Sequence, residues 1–172
     1  MDLRAGNLMK VSILAALSLI VQYCLGWPGV PAWAGDIKIP IVFLVAACML
    51  FHRGKWPYLP LAIGLGWDLL MEGVIGPGGI AWGAAALVLE ALATVIADRQ
   101  PRTWIVFGAL GAVLVTFFRF LTCVPLGLSL PLTFPGLAQM AFFTGLWCGL
   151  AGWIIELNPA SRWVHYRAKR LR

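Results

Sequence analysis

Residues 57–97 constrain the fold most, because they comprise two long apolar stretches that contain acidic side chains. Each stretch has about 20 residues, and at about 1.5 Å per residue a helix of that length matches a hydrocarbon core of roughly 30 Å. Gly76-Pro77-Gly78-Gly79 lies between them and is typical of a turn between helices. The pattern therefore predicts a transmembrane helical hairpin.

The hairpin contains three acids, Asp68 and Glu72 in its first arm and Glu90 in its second. A charged side chain at the centre of a bilayer costs roughly 2.5 kcal/mol or more on insertion scales. Such groups must therefore face protein or water rather than lipid. Asp68 and Glu72 are one helical turn apart, so a helix places both on one face. We expect the specificity of the protein to lie on that face.

The composition indicates a membrane protein that crosses the bilayer several times and has no separate soluble domain. Of the 172 residues, 61% are hydrophobic and 12% are charged, which is more apolar side chain than a soluble domain of this size can bury. The net charge of +6 comes from basic residues between apolar stretches, so it is a topology signal and predicts no nucleic-acid partner. The sequence has no nucleotide-binding, zinc-ligand or nucleophile motif, and we expect no enzymatic activity, cofactor or metal.

The apolar pattern predicts an all-α fold in which six transmembrane helices form one compact bundle, with residues 1–172 as a single integral-membrane domain. If the N-terminus is cytoplasmic, all of the basic residues except Lys38 and Arg119 fall on the inner side, so both termini are predicted to be cytoplasmic. The predicted spans are residues 8–25, 37–51, 57–75, 80–97, 103–124 and 136–157, and a basic cytoplasmic tail follows at 158–172.

Two features leave alternatives open. Residues 32–34 read Ala-Trp-Ala, the small-x-small form of a cleavage site, so residues 8–25 could be the core of a signal peptide. We favour a retained span.

The four cysteines lie within or beside apolar spans and are expected to be small core residues. A disulfide between Cys24 and Cys123 near the outer face is the alternative.

The charges inside the predicted spans have a structural and a functional interpretation. Counted from the inner ends of their spans at ~1.5 Å per residue, Glu72 lies at roughly 22 Å and Arg119 at roughly 24 Å. An ion pair between Arg119 and Glu72, or Asp68 one turn away, would hold the third and fifth spans in register. The same charges, with Glu90, could instead form a docking site for a partner's transmembrane helix, or a polar cavity for a solute or ion.

Small residues mark the expected helix contacts. Gly64 and Gly66 in the third span, and residues 83–86 in the fourth, allow two helices to approach closely. Gly76, Pro77 and Gly79 are assigned to the turn of the hairpin.

These features follow one another in a characteristic order. The second predicted span opens with Asp36, and the third contains Gly-x-Gly-x-Asp-Leu-Leu at residues 64–70. A Pro/Gly turn follows, and the chain closes on a basic end. In this order the chain resembles the rod shape-determining MreD family over essentially its whole length, most specifically at residues 64–79.

The resemblance implies a non-enzymatic scaffold subunit of the machinery for cell elongation and peptidoglycan synthesis, located in the bacterial inner membrane. The implied partners are an MreC-like scaffold protein, a RodA-like glycosyltransferase with its penicillin-binding transpeptidase, indirectly an MreB-like filament, and the membrane lipids.

The family fold is similar to that of the S components of vitamin transporters, which supplies an alternative function as a substrate-binding S component or another small-solute carrier. S components carry a small-xxx-small motif on the first span. Ala15 is followed four residues later by Leu19 here, so the motif is not met at that place.

Overall fold

The computed structural model describes residues 3–50, 58–72, 74–96, 100–128 and 133–157. Within these ranges all regular secondary structure is helical, which confirms the predicted all-α fold. A turn of π-helix, Asp68–Glu72, continues α4, and a short 3-10 helix, Val124–Leu126, continues α6. The α-helices are α1 (Leu3–Leu25), α2 (Ala32–Asp36), α3 (Ile41–Leu50), α4 (Tyr58–Trp67), α5 (Pro77–Val95), α6 (Pro101–Cys123) and α7 (Phe134–Leu157).

Three helical segments in the described part of the chain are long and apolar enough to cross a membrane. They are Pro77–Val95, Arg102–Leu126 and Phe134–Ile155, and they indicate that the protein associates with a membrane. The ten described residues of α3 cover only about 15 Å, and α4 with its π-turn is also shorter than a full crossing. Six spans with both ends in the cytoplasm therefore stay a prediction.

The second predicted span, residues 37–51, differs from the structure at its start. Residues 37–40 are not helical, and α3 begins at Ile41 after a separate short helix, α2. Pro40 lies at this point, and a proline restricts the residue before it to extended conformations, so a continuous helix through residue 39 is disfavoured. The apolar pattern alone did not show this break.

The core lies where α3, α5 and α6 meet, and Leu44, Trp82, Leu89 and Phe107 are completely buried there. Glycines bring α6 and α7 close together along their length. A Cβ atom added at Gly108 would lie 2.5 Å from the Cβ of Cys148, and one added at Gly145 would lie 3.0 Å from the carbonyl oxygen of Ile105.

Gly145 and Gly149 have the Gly-xxx-Gly spacing of close helix contacts. The close contacts predicted from the sequence were those of small residues on α4 and α5, and this pair was not among them.

Large apolar side chains cover the outside of the helices. In water this much exposed apolar surface would promote aggregation, whereas in a bilayer it is the surface that lipid covers. The exposed side chains include Ile13, Leu17 and Ile20 on α1, Leu87 on α5, Phe117 on α6, and Phe142, Leu150 and Ile154 on α7.

Candidate functional site

The connections α1–α3, α4–α5 and α6–α7 meet at one end of the bundle. The hydroxyl of Thr122 at the end of α6 donates a hydrogen bond of 3.3 Å to the carbonyl oxygen of Pro77 at the start of α5. The ammonium of Lys38, between α2 and α3, lies 4.9 Å from the centroid of the Trp67 ring at the end of α4. The candidate site is built at this end.

The carboxylate of Asp68 binds the first turn of α5. Asp68 is completely buried. Its Oδ2 accepts a hydrogen bond of 2.8 Å from the N–H of Gly76, and the N–H of Gly78 lies 2.9 Å from both carboxylate oxygens. The first N–H groups of a helix have no partner within the helix, and the positive end of the helix dipole favours an anion there. We call this arrangement the Asp68 cap, and it satisfies a buried acid with backbone donors.

Glycines make room for the Asp68 cap. A Cβ atom at Gly64 would lie 2.5 Å from the carbonyl oxygen of Gly78 and 2.8 Å from the Cα of Gly79. A Cβ atom at Gly78 would overlap Oδ1 of Asp68. At Gly76 the φ angle is +132°, a conformation that L side chains rarely adopt.

Pro77 and Gly79 do not lie in the turn to which the sequence analysis assigned them. Both belong to the first turn of α5, which begins at Pro77, three residues before the predicted span. Proline suits the first helical position, because its fixed φ angle is helical and its missing N–H would have no partner there.

Gly66 packs against α1, whereas Gly64 packs against α5. A Cβ atom at Gly66 would lie 2.8 Å from Cδ1 of Leu19, so this glycine is the place where α1 docks against α4. Leu19 itself is buried. The two glycines of the Gly-x-Gly-x-Asp motif therefore hold α4 against both of its neighbours, α1 and α5.

The break between α2 and α3 is held by side chains from distant helices. The N–H of Lys38 donates to the hydroxyl oxygen of Thr144 at 3.1 Å, and the N–H of Ile39 donates to Oε1 of Gln22 at 2.9 Å. Nε2 of Gln22 donates to the carbonyl oxygen of Gly35 at 3.4 Å. Non-helical backbone at membrane depth is tolerated where protein satisfies it.

Gln22 and Thr144, both buried, were missed by the sequence analysis. The available signal was an amide in the first apolar segment and a hydroxyl in the last. We call residues 37–40 with these two partners the Lys38 break.

The Lys38 break and the Asp68 cap share the end of α4. The Lys38 ammonium lies over Trp67, the neighbour of Asp68 in the chain, in the geometry of a cation–π contact. The Trp67 ring in turn lies 6.2 Å from that of Trp82 on α5, centroid to centroid. A cation, two indoles and a capped acid therefore form one continuous arrangement.

Arg119 lies near this end, on α6. It is half-buried, and Thr122, which contacts Pro77, also donates to the carbonyl oxygen of Arg119 at 2.9 Å. Glu72 closes the π-turn with its backbone, but its side chain lies outside the described part of the structure. The ion pair between Arg119 and Glu72 therefore stays a prediction.

Glu90 lies away from this end. It is half-buried on α5, one turn after Ala86, whose carbonyl oxygen accepts a hydrogen bond of 3.9 Å from Sγ of Cys48 on α3. Glu90 is thirteen positions after Pro77 in the same helix, which corresponds to roughly 20 Å along the axis. The structure therefore places Asp68 and Glu90 at different levels.

The four cysteines are free thiols. Cys24 and Cys123 are both free, so the structure does not contain the disulfide considered for this pair. Cys148 is completely buried against α6 as a small core residue.

Three comparisons with known proteins identify no relative. No protein-family model, no curated protein and no solved structure matches the chain. The function is therefore inferred from the residues of the chain and their geometry.

Proposed function

We propose that the protein is a non-enzymatic scaffold subunit of the machinery for bacterial cell elongation and peptidoglycan synthesis, in keeping with its resemblance to the MreD family. The Asp68 cap carries this proposal. The Gly64-x-Gly66-x-Asp68 segment, on which the resemblance depends most, joins α4 to α1 and to α5. Its acid is bound by backbone N–H groups, so its role is to hold a helical frame together.

In this proposal the chain crosses the bacterial inner membrane six times and both termini are cytoplasmic. Three helices long enough to cross, together with the basic residues at one set of connections, support this topology. Reporter fusions at Arg172 and within residues 125–135 should report opposite compartments. If both fusions report the same compartment, the six-span topology is wrong.

The proposed partners are an MreC-like scaffold protein and, through it, a RodA-like glycosyltransferase with its transpeptidase and an MreB-like filament. Depletion of the protein in a rod-shaped host should produce round cells. Affinity purification in mild detergent should recover cell-wall synthesis proteins. Depleted cells that stay rod-shaped, together with a purification that recovers none of these partners, would refute the scaffold role.

The Lys38 break favours a second candidate function, the binding of a small solute. Transporters place their binding sites at discontinuous helices, where unwound backbone and helix ends face the substrate. The interrupted α2–α3 segment has this character, and the half-buried Lys38 lies within it. A nutrient requirement in depleted cells of normal shape, and co-purified ATPase subunits, would favour this function over the scaffold.

A further inference from the structure

One end of the bundle carries no charge on its outermost connections. The described residues of these connections are 26–31, 74–76, 124–128 and 133, and none of them is acidic or basic. Their large side chains, and the first residue of α7, point outward. Trp27 is 62% exposed, Ile75 65%, Leu126 58% and Phe134 85%. We call these residues and connections the uncharged end.

Asp36 and Lys38 lie next to the uncharged end, and both have partners within the protein, whereas the side chain of Glu72, before Val74, lies outside the described part of the structure. The carboxylate of Asp36 accepts a hydrogen bond of 2.8 Å from Nε2 of Gln139 on α7. The ammonium of Lys38 lies over the ring of Trp67. Both residues are half-buried. The most exposed large side chains of this end are thus apolar, whereas the described charges beside it are half-buried and have partners, an arrangement that is unusual for a surface in contact with water.

The opposite end of the bundle has a different character. Gln100 and Arg102, at the start of α6, are exposed polar residues. In the sequence the connections at that end also contain His52, Arg53 and Lys55. Charge therefore distinguishes the two ends: the opposite end has basic residues in its connections, and the outermost connections of the uncharged end have none.

The uncharged end is continuous with the apolar surface along the helices. Below Ile75, Ile80 and Leu87 are exposed on α5. On α6, Phe117 and Leu121 are exposed below Leu126. On these faces of α5 and α6 the large exposed side chains that lead up to the connections are apolar. Trp27 is of the residue type that favours the boundary between acyl chains and headgroups.

We propose that the uncharged end is embedded in the lipid headgroup and acyl boundary of the bilayer, and that the lipids of the membrane are its occupant. Ile75, Leu126 and Phe134 each lie in a helix terminus or within two residues of one, so they are within reach of this layer. The proposal requires that the apolar helices lie in a bilayer, and it does not depend on the scaffold function. A partner of this end would have to approach within the plane of the membrane rather than from the water above it.

Thiol labelling in nanodiscs of phosphatidylethanolamine and phosphatidylglycerol tests the proposal. Ile75→Cys, Leu126→Cys and Phe134→Cys probe the uncharged end. Gln100→Cys at the opposite end is the water-exposed control, and Leu87→Cys, 69% exposed in the middle of α5, is the control for a lipid-covered position. A charged maleimide is used, and the modified peptide is identified by mass spectrometry, so that the native cysteines do not interfere. Nanodiscs expose both membrane faces, so orientation does not affect the rates.

We expect the three positions at the uncharged end to react about tenfold more slowly than Gln100→Cys, because a charged reagent is excluded from an apolar layer. Their rates should approach that of Leu87→Cys. Gel filtration establishes that each variant is folded, and three separate positions keep the test valid if one variant fails.

Two outcomes would overturn the proposal. Rates equal to that of Gln100→Cys in nanodiscs and in native membranes would show that the uncharged end faces water. Fast labelling in nanodiscs with slow labelling in native membranes would show that a protein partner, and not lipid, covers this end.

Discussion

The backbone N–H of Gly78 lies 2.9 Å from both carboxylate oxygens of Asp68, ten residues earlier in the chain. This contact ties the end of α4 to the start of α5. It also explains how an acid can be completely buried in an apolar helix, because the donors come from a helix end that would otherwise leave its N–H groups without partners.

Removal of the Asp68 carboxylate should destabilise the hairpin. We expect Asp68→Ala to lower the free energy of unfolding by about 2 kcal/mol, since it removes a helix cap and charge-assisted hydrogen bonds. Asp68→Asn keeps one acceptor oxygen and should fall between Asp68→Ala and the native protein. Unfolding in mixed micelles measures the effect. Leu69→Ala is the matched control, because Leu69 is exposed and takes no part in the cap; an equal loss in both variants would contradict the role of Asp68.

Two glycines of the hairpin should respond differently to alanine. Gly64→Ala forces a Cβ atom against the backbone of Gly78 and should cost about 1–3 kcal/mol of stability. Gly83→Ala on α5 would place its Cβ 3.7 Å from Cγ of Leu61, an ordinary contact, and alanine favours a helix by up to about 1 kcal/mol over glycine. Gly83→Ala should therefore be neutral or stabilising in the same unfolding assay. The reverse order of stabilities would show that α4 and α5 do not pack as described.

The contact between α6 and α7 should show coupling between Gly108 and Cys148. Gly108→Ala should destabilise the protein by about 1–3 kcal/mol, because the new Cβ would lie 2.5 Å from the Cβ of Cys148. Cys148→Gly removes that atom, so the double variant should be more stable than the sum of the single effects predicts. A double-mutant cycle measures the coupling. Strict additivity would show that the two residues do not meet.

The effects of substitutions at Arg119 and Glu72 on the yield of folded protein should be coupled. Arg119→Ala and Glu72→Ala should each reduce the yield of folded protein, because loss of one partner of a buried pair costs roughly 3–5 kcal/mol. Arg119→Met combined with Glu72→Leu should recover much of that loss if the pair is structural. A double variant that folds but loses its partner proteins on affinity purification would assign both charges to an interface. A double variant as poorly folded as the sum of both single variants would exclude the pair.

Uninterrupted apolar sequence predicted some elements well. α6 (Pro101–Cys123) and α7 (Phe134–Leu157) begin within two residues of the predicted spans 103–124 and 136–157 and end within one. Long apolar runs bounded by proline or by polar residues leave few alternatives to a membrane-length helix.

Pro40 was a local signal for the Lys38 break, but the contacts that hold the break and the start of α5 could not be predicted from local patterns. The break depends on Gln22 and Thr144, which come from α1 and α7 and are distant in sequence. The start of α5 depends on Asp68, an acid from the helix before it. The Gly76–Gly79 segment suits both a turn and a first helical turn, and only the position of the carboxylate decides between them.

The order in which the parts of the Asp68 cap are synthesised has a consequence for biogenesis. A ribosome that has delivered α4 to the translocon has not yet delivered Gly76 and Gly78, so the nascent chain holds an acid without its donors. We expect α4 to enter the membrane only when α5 follows, as a pair. Force measurements on arrested nascent chains should show one late insertion event for both helices, with an earlier separate event for α4 only in Asp68→Leu. The backbone N–H groups of Gly76 and Gly78 would then determine when α4 leaves the translocon for the lipid.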